Sequence, residues 1–444
     1  MLILFVMDGQ QKLIQECIEV LRRNNVGGWT KPAPGLYPHQ WLWDSCFIAI
    51  GQRHFNVKQA KKEVENIFRG QWKNGMIPNI IYGEDKHYND DIWHSKVSKQ
   101  APKSLKTSGI TQPPMIAEAI TLVGEKLTKA DRKLWYRKLF PKLLAYHEWL
   151  YRERDPRADG LVVLLHPWES GLDNTPSWMS EMHLSELPLW IRIIKKLKLY
   201  VVINVLRRET KYLPAYQRID FIDALGLFSI VRRLRRKKYE TRIAIRHSRV
   251  SIQDVSFNSI LIRANELLIE IARVSNNEIP AWLLHRFKKA STALNELWHE
   301  QSQQYLNRNY QNYELINEPS IMTFFALYSG AISKKRAAEL VQSMKHKRWS
   351  AAFPLASVPK DSAYFQPKRY WQGPTWINTN WLIANGLHRY GYHEEAAFIA
   401  KKSIELVQKS GCYEYFSPLD GSPSGVSNFS WTAALTIDFL HKQL

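Results

Sequence analysis

The chain has 444 residues, enough for one large domain or for roughly two or three of ordinary size, so its length leaves the domain organisation open. Its 62 Lys and Arg against 41 Asp and Glu leave a formal net charge of +21, which favours anionic partners through long-range fields. The three cysteines, Cys17, Cys46 and Cys412, have no short paired spacing, which argues against a zinc site or a disulfide framework and is typical of a reducing cytoplasm.

The chain begins with an apolar run at 1–7 that is too short for the apolar region of a signal peptide. No later run approaches the roughly 18 apolar residues that are needed to span a membrane. We therefore expect a soluble, cytoplasmic protein with no membrane partner.

Helical periodicity dominates the chain, because apolar residues recur at intervals of three and four. The clearest segments are 11–23, 130–151, 254–274 and 394–408. Further helices are predicted near 44–53, 57–69, 113–125, 180–207, 217–238, 280–300, 319–344, 374–390 and 429–443. Strand-like alternation is scarce, so the predicted fold class is all-α, with roughly a dozen helices.

Long connections rich in Trp, Tyr, Pro and Gly separate these helices, at 27–43, 72–112, 155–179, 346–376 and 410–428. Connections of this length are unusual in a compact domain unless they carry function. They follow alternate helices, which indicates a toroid of helical hairpins with long loops lining a cleft at one end. Because no flexible linker divides the chain, we predict a single domain over 1–444 with a basic helical insertion around 207–250.

The segment 231–249 carries much of the positive charge. A nucleic-acid site there would need a reading motif or interleaved stacking aromatics, and neither is present. A solvated, highly charged helix face or insertion is favoured instead. A small acidic substrate is a third explanation, and no nucleic-acid partner is expected.

Two turn-rich, aromatic segments each place one carboxylate in a setting suited to sugar chemistry: 166–174 contains Asp173, and 413–418 contains Glu414. Cleavage at an anomeric carbon requires two carboxyl groups held apart, one to donate a proton and one to activate water. Apolar neighbours would raise the pKa of Asp173, as a general acid requires. Glu169 is the rival in the same segment, and an Asp-Asn pair before Pro is also common in ordinary turns.

Two further loops place aromatic rings just ahead of predicted helices. The first contains Tyr37, Trp41, Trp43 and Asp44, and the second contains Tyr370, Trp371, Gly373 and Trp376. The apolar face of a sugar stacks on such rings while a carboxylate accepts bonds from its hydroxyls. A buried aromatic entry to a capped helix is the alternative interpretation of the same residues.

These loops, in this order, resemble the catalytic domain of glycoside hydrolase family 63, and most closely the bacterial mannosylglycerate and glucosylglycerate hydrolases within it. The resemblance runs from residue 34 to residue 431. It rests on the motifs YPHQWLWDS at 37–45, GMIP at 75–78, TQPP at 111–114, WESGLDN at 168–174, RYWQGPTWIN at 369–378 and EYFSP at 414–418.

The resemblance implies an (α/α)6 barrel and inverting hydrolysis that uses neither a metal nor another cofactor. By motif position, Asp173 corresponds to the general acid and Glu414 to the general base. The residues expected to grip the sugar beside the cleaved bond are Tyr37, Trp41, Trp43, Asp44, Gln112, Tyr370, Trp371, Gly373 and Trp376.

The middle of the chain departs from this family pattern. The relatives carry an Arg-Pro pair followed by a Tyr-rich helix, whereas this chain has the sequence YQRID at 216–220 and then the basic segment. Arg218 is still expected to bind a carboxylate as a bidentate donor. The leaving group, the hexose and the oligomeric state stay open.

The sequence therefore predicts an inverting α-glycosidase that hydrolyses a small α-glucoside or α-mannoside, such as glucosylglycerate or mannosylglycerate. Its partner would be a small sugar, either neutral or anionic. The alternatives are a neutral-oligosaccharide α-glucosidase of the same family, and a non-catalytic sugar-binding or nucleic-acid-binding protein on the same barrel.

Overall fold

Helices make up most of the chain, as the periodicity predicts. The computed structural model describes residues 2–83, 92–184, 187–198, 208–248 and 250–442. Its α-helices are α1 (Leu2–Asn24), α2 (Leu42–Gln52), α3 (Val57–Ile67), α4 (Ile116–Gly124), α5 (Lys129–Glu153), α6 (Pro176–Leu184), α7 (Leu189–Lys196), α8 (Phe221–Arg236), α9 (Thr241–Arg246), α10 (Val255–Ser275), α11 (Ala281–Ala293), α12 (Phe325–Ser329), α13 (Lys334–Lys345), α14 (Ile377–Arg389), α15 (His393–Ser410) and α16 (Ser430–Lys442).

Six of these helices form a closed ring at the centre of the molecule. Helix α2 packs against α4, α4 against α10, α10 against α12, α12 against α14, α14 against α16, and α16 back against α2. Every residue of α2, α4 and α12 is buried, since these helices are covered on all sides. A helix that is apolar all round is stable only when it is buried in this way.

The remaining helices of the barrel lie outside this ring. Helix α1 packs on α16, α3 on α2, α5 on α4 and α10, α11 on α10, and α15 on α14. They are amphipathic: α13, for example, buries Ala337, Leu340, Val341 and Met344 at intervals of three and four and exposes its other face. Outer and inner helices alternate along the chain, which confirms the predicted (α/α)6 fold class.

The connections of the barrel alternate between short and long. Each inner helix leads to the next outer helix through a short segment, at 53–56, 125–128, 276–280, 330–333 and 390–392. Each outer helix returns to the ring through a long one, at 25–41, 68–115, 154–254, 294–324, 346–376 and 411–429. The long loops therefore gather at one end of the ring, where the aromatic segments were expected to meet.

Two of the predicted helices are interrupted. The segment 180–207 contains the end of α6 and the whole of α7, because Pro188 lacks an amide hydrogen and cannot continue a helix; residues 199–207 lie outside the described part. The segment 319–344 divides into α12 and α13, since Gly330 has φ +70 and ends α12 in a left-handed turn.

Short antiparallel ribbons tie the long loops together. Strand β1 (Gln40–Trp41) pairs with β2 (Ile80–Ile81), β3 (Ile252–Gln253) with β6 (Arg308–Asn309), β4 (Trp298–His299) with β5 (Gln304–Tyr305), and β7 (Tyr413–Phe416) with β8 (Pro423–Ser427). The register of β7 with β8 shifts between Tyr413 and Tyr415. Glu414 therefore lies at an irregularity of the ribbon, and such irregularities change the direction in which a side chain points.

Helices α8 and α9 occupy most of the basic segment. Helix α8 buries Leu227, Ile230, Val231 and Leu234, while its arginines lie on the more exposed side. The division of the chain into one domain with an insertion at 207–250 stays a prediction. Within the described ranges, no helix combines the length and apolar character that crossing a membrane requires.

Candidate active site

A cavity of about 1000 Å³, including its mouth, opens where the long loops meet. Ten of the twelve residues predicted for the site line it: Tyr37, Trp41, Trp43, Asp44, Gln112, Asp173, Arg218, Tyr370, Trp371 and Glu414. The other two, Gly373 and Trp376, lie behind its wall. Side chains from both ends of the chain thus line one cavity.

Asp173 is held in place by the loop that carries Tyr370. The hydroxyl of Tyr370 donates a hydrogen bond to Oδ2 of Asp173 at 2.8 Å. Next to it, Oδ1 of Asn174 accepts from the backbone N–H of Trp371 at 2.9 Å, and its carbonyl accepts from Nε2 of Gln372 at 2.9 Å. Two segments almost 200 residues apart therefore fix the position of this carboxyl group.

Glu414 is surrounded by hydrogen-bond donors. Its Oε1 accepts from the hydroxyl of Tyr37 at 2.7 Å and from Nη1 of Arg218 at 3.3 Å. Its Oε2 accepts from the backbone N–H of Val426 at 3.2 Å. Gly425 leaves room for this arrangement, because a Cβ there would lie 2.5 Å from Oε2 of Glu414 and its φ of +71 suits glycine.

Arg218 reaches Glu414 because Gln217 is bonded to the β7–β8 ribbon. The carbonyl of Gln217 accepts from the hydroxyl of Tyr415 at 2.7 Å, and its Oε1 accepts from the N–H of Gly425 at 3.0 Å. The Arg218 guanidinium lies 4.1 Å from the ring centre of Tyr370, a cation–π contact. The segment before α8 is therefore part of the site.

The two carboxyl groups differ in the number of hydrogen-bond donors that contact them. Burial raises the pKa of Asp173 to about 7, and the hydrogen bond from Tyr370 and the charge of Arg218 only partly oppose this rise. Burial also raises the pKa of Glu414, but Arg218, Tyr37 and the N–H of Val426 all oppose it. Such a difference between neighbouring carboxyls separates a proton donor from a proton acceptor.

Glu169, the rival to Asp173, lies outside the cavity. It is fully buried in an ion pair with Arg154, whose Nη1 donates to its Oε2 at 2.9 Å. The backbone N–H groups of Leu165 and Thr111 also donate to its carboxylate, at 2.7 and 3.4 Å. Each oxygen therefore has its own donors, and Glu169 is a structural carboxylate of the loop.

The aromatic wall is two layers deep. The rings of Trp371 and Trp376 stack at 3.7 Å with an angle of 5°, so Trp376 supports the ring that faces the cavity. The indole N–H of Trp376 donates to the carbonyl of Tyr370 at 3.1 Å. Gly373 has φ +153, and a Cβ there would lie 2.1 Å from the carbonyl oxygen of Gln366. Both residues position the wall.

Asp44 and Gln112 line the cavity and are almost completely buried. Burial, followed by the charges of Glu414 and Asp173, raises the pKa of Asp44 well above its usual range, while its own backbone N–H opposes the rise. Oε1 of Gln112 has no hydrogen-bond partner among the residues that the structure describes. Such groups are suited to the hydroxyls of a polar ligand.

The motifs did not single out several other residues that line the cavity. Trp168 lies within the motif at 168–174, and Phe429 and Trp431 lie at the start of the predicted helix 429–443, but none of the three is predicted to bind the ligand; Trp93 and Glu209 belong to no motif. Glu209 lies 3.6 Å from Arg218 and also lines the cavity. Nothing in the local sequence of Glu209 indicates this contact, since it depends on how the segment before α8 folds back.

Known proteins match almost the whole of this chain. A family model described as the mannosylglycerate hydrolase MGH1-like glycoside hydrolase domain matches residues 37–432. A mannosylglycerate hydrolase from Thermus thermophilus is 37% identical over 430 residues, covering 95% of this chain and 99% of that protein. A glucosylglycerate hydrolase from Mycolicibacterium hassiacum is 27% identical, and the match covers 95% of this chain and 96% of that protein.

A solved structure is also similar along the whole chain. The crystal structure of a family 63 mannosylglycerate hydrolase from a strain of Thermus thermophilus, in complex with Tris and D-glycerate, matches with a TM-score of 0.86 and 36% identity. The match covers 96% of this chain and 99% of that one. The barrel and its long loops are thus common to both proteins.

Proposed function

Because the chain belongs to the mannosylglycerate hydrolase-like glycoside hydrolases of family 63, we propose that it hydrolyses a small α-mannoside or α-glucoside whose leaving group carries a carboxylate. Mannosylglycerate and glucosylglycerate are the first candidates, since relatives are named for them. The observation that carries the proposal is the unequal pair of buried carboxyls in one cavity with Arg218 beside them.

Asp173 acts as the general acid. Its protonated carboxyl donates to the glycosidic oxygen as the bond from that oxygen to the anomeric carbon breaks. Tyr370 holds one oxygen of Asp173, which leaves the other for the proton. A pKa of about 7 keeps a large share of Asp173 protonated near neutral pH.

Glu414 acts as the general base. It accepts a proton from a water molecule, whose oxygen attacks the anomeric carbon from the face opposite to the leaving group and inverts its configuration. Charge spreads over the ring in an oxocarbenium-like transition state. Tyr37, Arg218 and the N–H of Val426 stabilise the ionised carboxylate before the reaction begins.

The leaving group lies towards Arg218. A guanidinium presents two parallel N–H groups that match a carboxylate, so an anionic leaving group gains a charge-assisted contact there. Trp41, Trp43 and Trp371 line the same cavity, and a hexose ring can stack on them.

We expect the purified protein to hydrolyse mannosylglycerate or glucosylglycerate and to release the β-anomer of the hexose first, as seen by proton NMR before mutarotation. Trehalose and kojibiose serve as neutral comparison substrates and should be hydrolysed far more slowly. First release of the α-anomer would refute inversion. Preference for a neutral disaccharide would instead favour the α-glucosidase alternative.

Tyr370→Phe is expected to move the alkaline limb of the pH profile of kcat/KM to higher pH. Asp173 acts in its protonated form, so activity falls as the pH rises through its pKa of about 7. The hydrogen bond from Tyr370 favours the charged form, and its removal raises that pKa. Loss of this bond should also lower the maximal kcat/KM by about fivefold.

The profile is measured from pH 4 to pH 9 on one substrate, with Tyr364→Phe as the control, because Tyr364 is not among the residues that line the cavity. The acid limb depends on protonation of Glu414 and should change little. An alkaline limb that stays in place or moves to lower pH would contradict the role of Tyr370.

A further inference from the structure

Two cysteine thiols lie against each other at the point where the barrel closes. Sγ of Cys17, in α1, is 3.7 Å from Sγ of Cys412, which directly precedes β7. Both residues are buried and carry free thiols. They are 395 positions apart in the chain, which is why no short cysteine spacing indicates the pair.

The pair lies at the seam between the first and last elements of the barrel. Other neighbouring helices of the inner ring follow one another along the chain, whereas α16 and α2 come from its two ends and are held together by noncovalent contacts such as the ion pair of Arg53 with Asp438. Helix α1 packs on α16, and Nδ2 of Asn24 donates to the carbonyl of Asn428 and to Oγ of Ser430. Terminal elements are where a domain opens first, so we expect the barrel to open at this seam.

The two thiols are not equivalent. The hydrogen bond with Cys412, followed by burial, raises the pKa of Cys17 well above its usual range, so Cys17 keeps its proton. Cys17 is 0% exposed and Cys412 is 9% exposed, so a small oxidant reaches Cys412 first. Cys17 then lies within contact distance of whatever group forms on the sulfur of Cys412.

The backbone around Cys412 is held by the start of α16. The carbonyl of Cys412 accepts from the N–H of Phe429 at 2.8 Å, and the carbonyl of Tyr413 accepts from the hydroxyl of Thr432 at 2.7 Å. A disulfide bond of about 2 Å requires the two sulfurs to approach by roughly 1.7 Å. Rotation of the two side chains or a shift of α1 therefore has to supply this approach, while the strand that carries Glu414 stays in place.

We propose that Cys17 and Cys412 form a reversible modification site, in which a peroxide converts the two thiols to a disulfide that fastens α1 to β7. Sγ of Cys412 attacks one peroxide oxygen and the O–O bond breaks, which gives a sulfenic acid and water or an alcohol. Sγ of Cys17 then attacks the sulfenic sulfur, and the hydroxyl group leaves with the proton of Cys17 as water. Both sulfurs are oxidised, the peroxide is reduced, and the seam is closed covalently.

The test follows the cross-link and its effect on stability. The protein is first reduced with dithiothreitol, then oxidised with hydrogen peroxide and digested with trypsin without a reductant. We expect peptides 13–22 and 410–442 to appear linked, two hydrogen atoms lighter than their sum. Because the cross-link closes almost the whole chain and so restricts the unfolded state, it should raise the midpoint of thermal unfolding by about 3–6 °C. Dithiothreitol should reverse both changes.

Cys17→Ala and Cys412→Ala each remove one thiol of the pair, and oxidation should then give neither the linked peptides nor the rise in the midpoint. Cys46→Ala is the matched control, because it also removes a buried thiol but leaves the pair intact, and it should respond like the wild type. Each variant is compared with its own reduced form, so that the cost of the substitution itself cancels.

Three results would overturn the proposal. The first is a wild-type protein that forms no linked peptides on oxidation. The second is a linked protein whose midpoint of thermal unfolding does not rise. The third is an equal rise in Cys17→Ala or Cys412→Ala, which would assign the effect to oxidation elsewhere in the chain.

Discussion

Glu414→Gln is expected to lower kcat/KM by about 10³-fold, because an amide cannot accept a proton from water in the transition state. The substitution keeps the size of the side chain, and its one amide oxygen can still accept a hydrogen bond from Tyr37 or from Val426, but not from both. Turnover is measured with mannosylglycerate and with a glycoside whose leaving group is activated, such as a 2,4-dinitrophenyl glycoside. The loss should be similar for both substrates.

Asp173→Asn is the matched variant for the acid. We expect its kcat/KM to fall about 10³-fold on mannosylglycerate. The fall should be far smaller on the dinitrophenyl glycoside, since that leaving group departs without a proton. The two variants thus separate the roles of the carboxyls. The assignment of acid and base would be wrong if kcat/KM of Asp173→Asn fell equally on both substrates. It would also be wrong if kcat/KM of Glu414→Gln fell only slightly on the dinitrophenyl glycoside.

Glu300→Gln is the control for both variants. The Glu300 side chain is 82% exposed and does not line the cavity. The kcat/KM of the Glu300→Gln variant should therefore stay within about twofold of the wild-type value. Azide gives a second check on Glu414→Gln, because it can take the place of the water without needing a base. It should restore turnover and release the β-glycosyl azide.

Arg154→Met is expected to destabilise the protein by about 3–5 kcal/mol, since it leaves the charge of Glu169 buried without its cation. The two side chains are 3% and 0% exposed, so water cannot replace the lost partner. The free energy of unfolding is measured by urea denaturation at pH 7. Arg23→Met removes an exposed pair with Glu19 and should cost less than about 1 kcal/mol.

Glu169→Gln separates structure from chemistry in the same loop. It should also lose stability, because the amide meets Arg154 without a negative charge, yet the folded fraction should keep kcat/KM within a few fold of the wild type. Glu169 does not line the cavity, which is the reason for this expectation. If the Glu169→Gln variant folded but were inactive, the result would show that Glu169 takes part in the reaction.

Much of the fold could be predicted from local patterns. Apolar spacing of three and four residues marks helices wherever they pack, and turn-forming residues mark the loops between them. The alternation of short and long connections was visible in the same way, and the ring of helices confirms it. The interruptions at Pro188 and Gly330 also have local causes, a missing amide hydrogen and a left-handed glycine, and both are visible in the sequence.

The candidate site was predictable in part, because its residues cluster in a few aromatic segments. Ten of the twelve predicted residues line the cavity. Gly373 and Trp376 do not, since a helix or turn presents neighbouring side chains in different directions and the sequence does not say which one faces the ligand. Glu209 and the two residues of α8 that line the cavity, Ala224 and Leu227, lie outside the motifs, so the motifs do not predict them.

The sequence by itself determined the helical class, the long loops and the presence of carboxylates in aromatic segments, because each depends on neighbours along the chain. Only the tertiary structure decided what each carboxylate contacts. Glu169 and Asp173 are four positions apart, yet one is paired with Arg154 and the other faces the cavity beside Tyr370. Burial, hydrogen-bond partners and pKa all come from contacts between distant segments, which no local pattern contains.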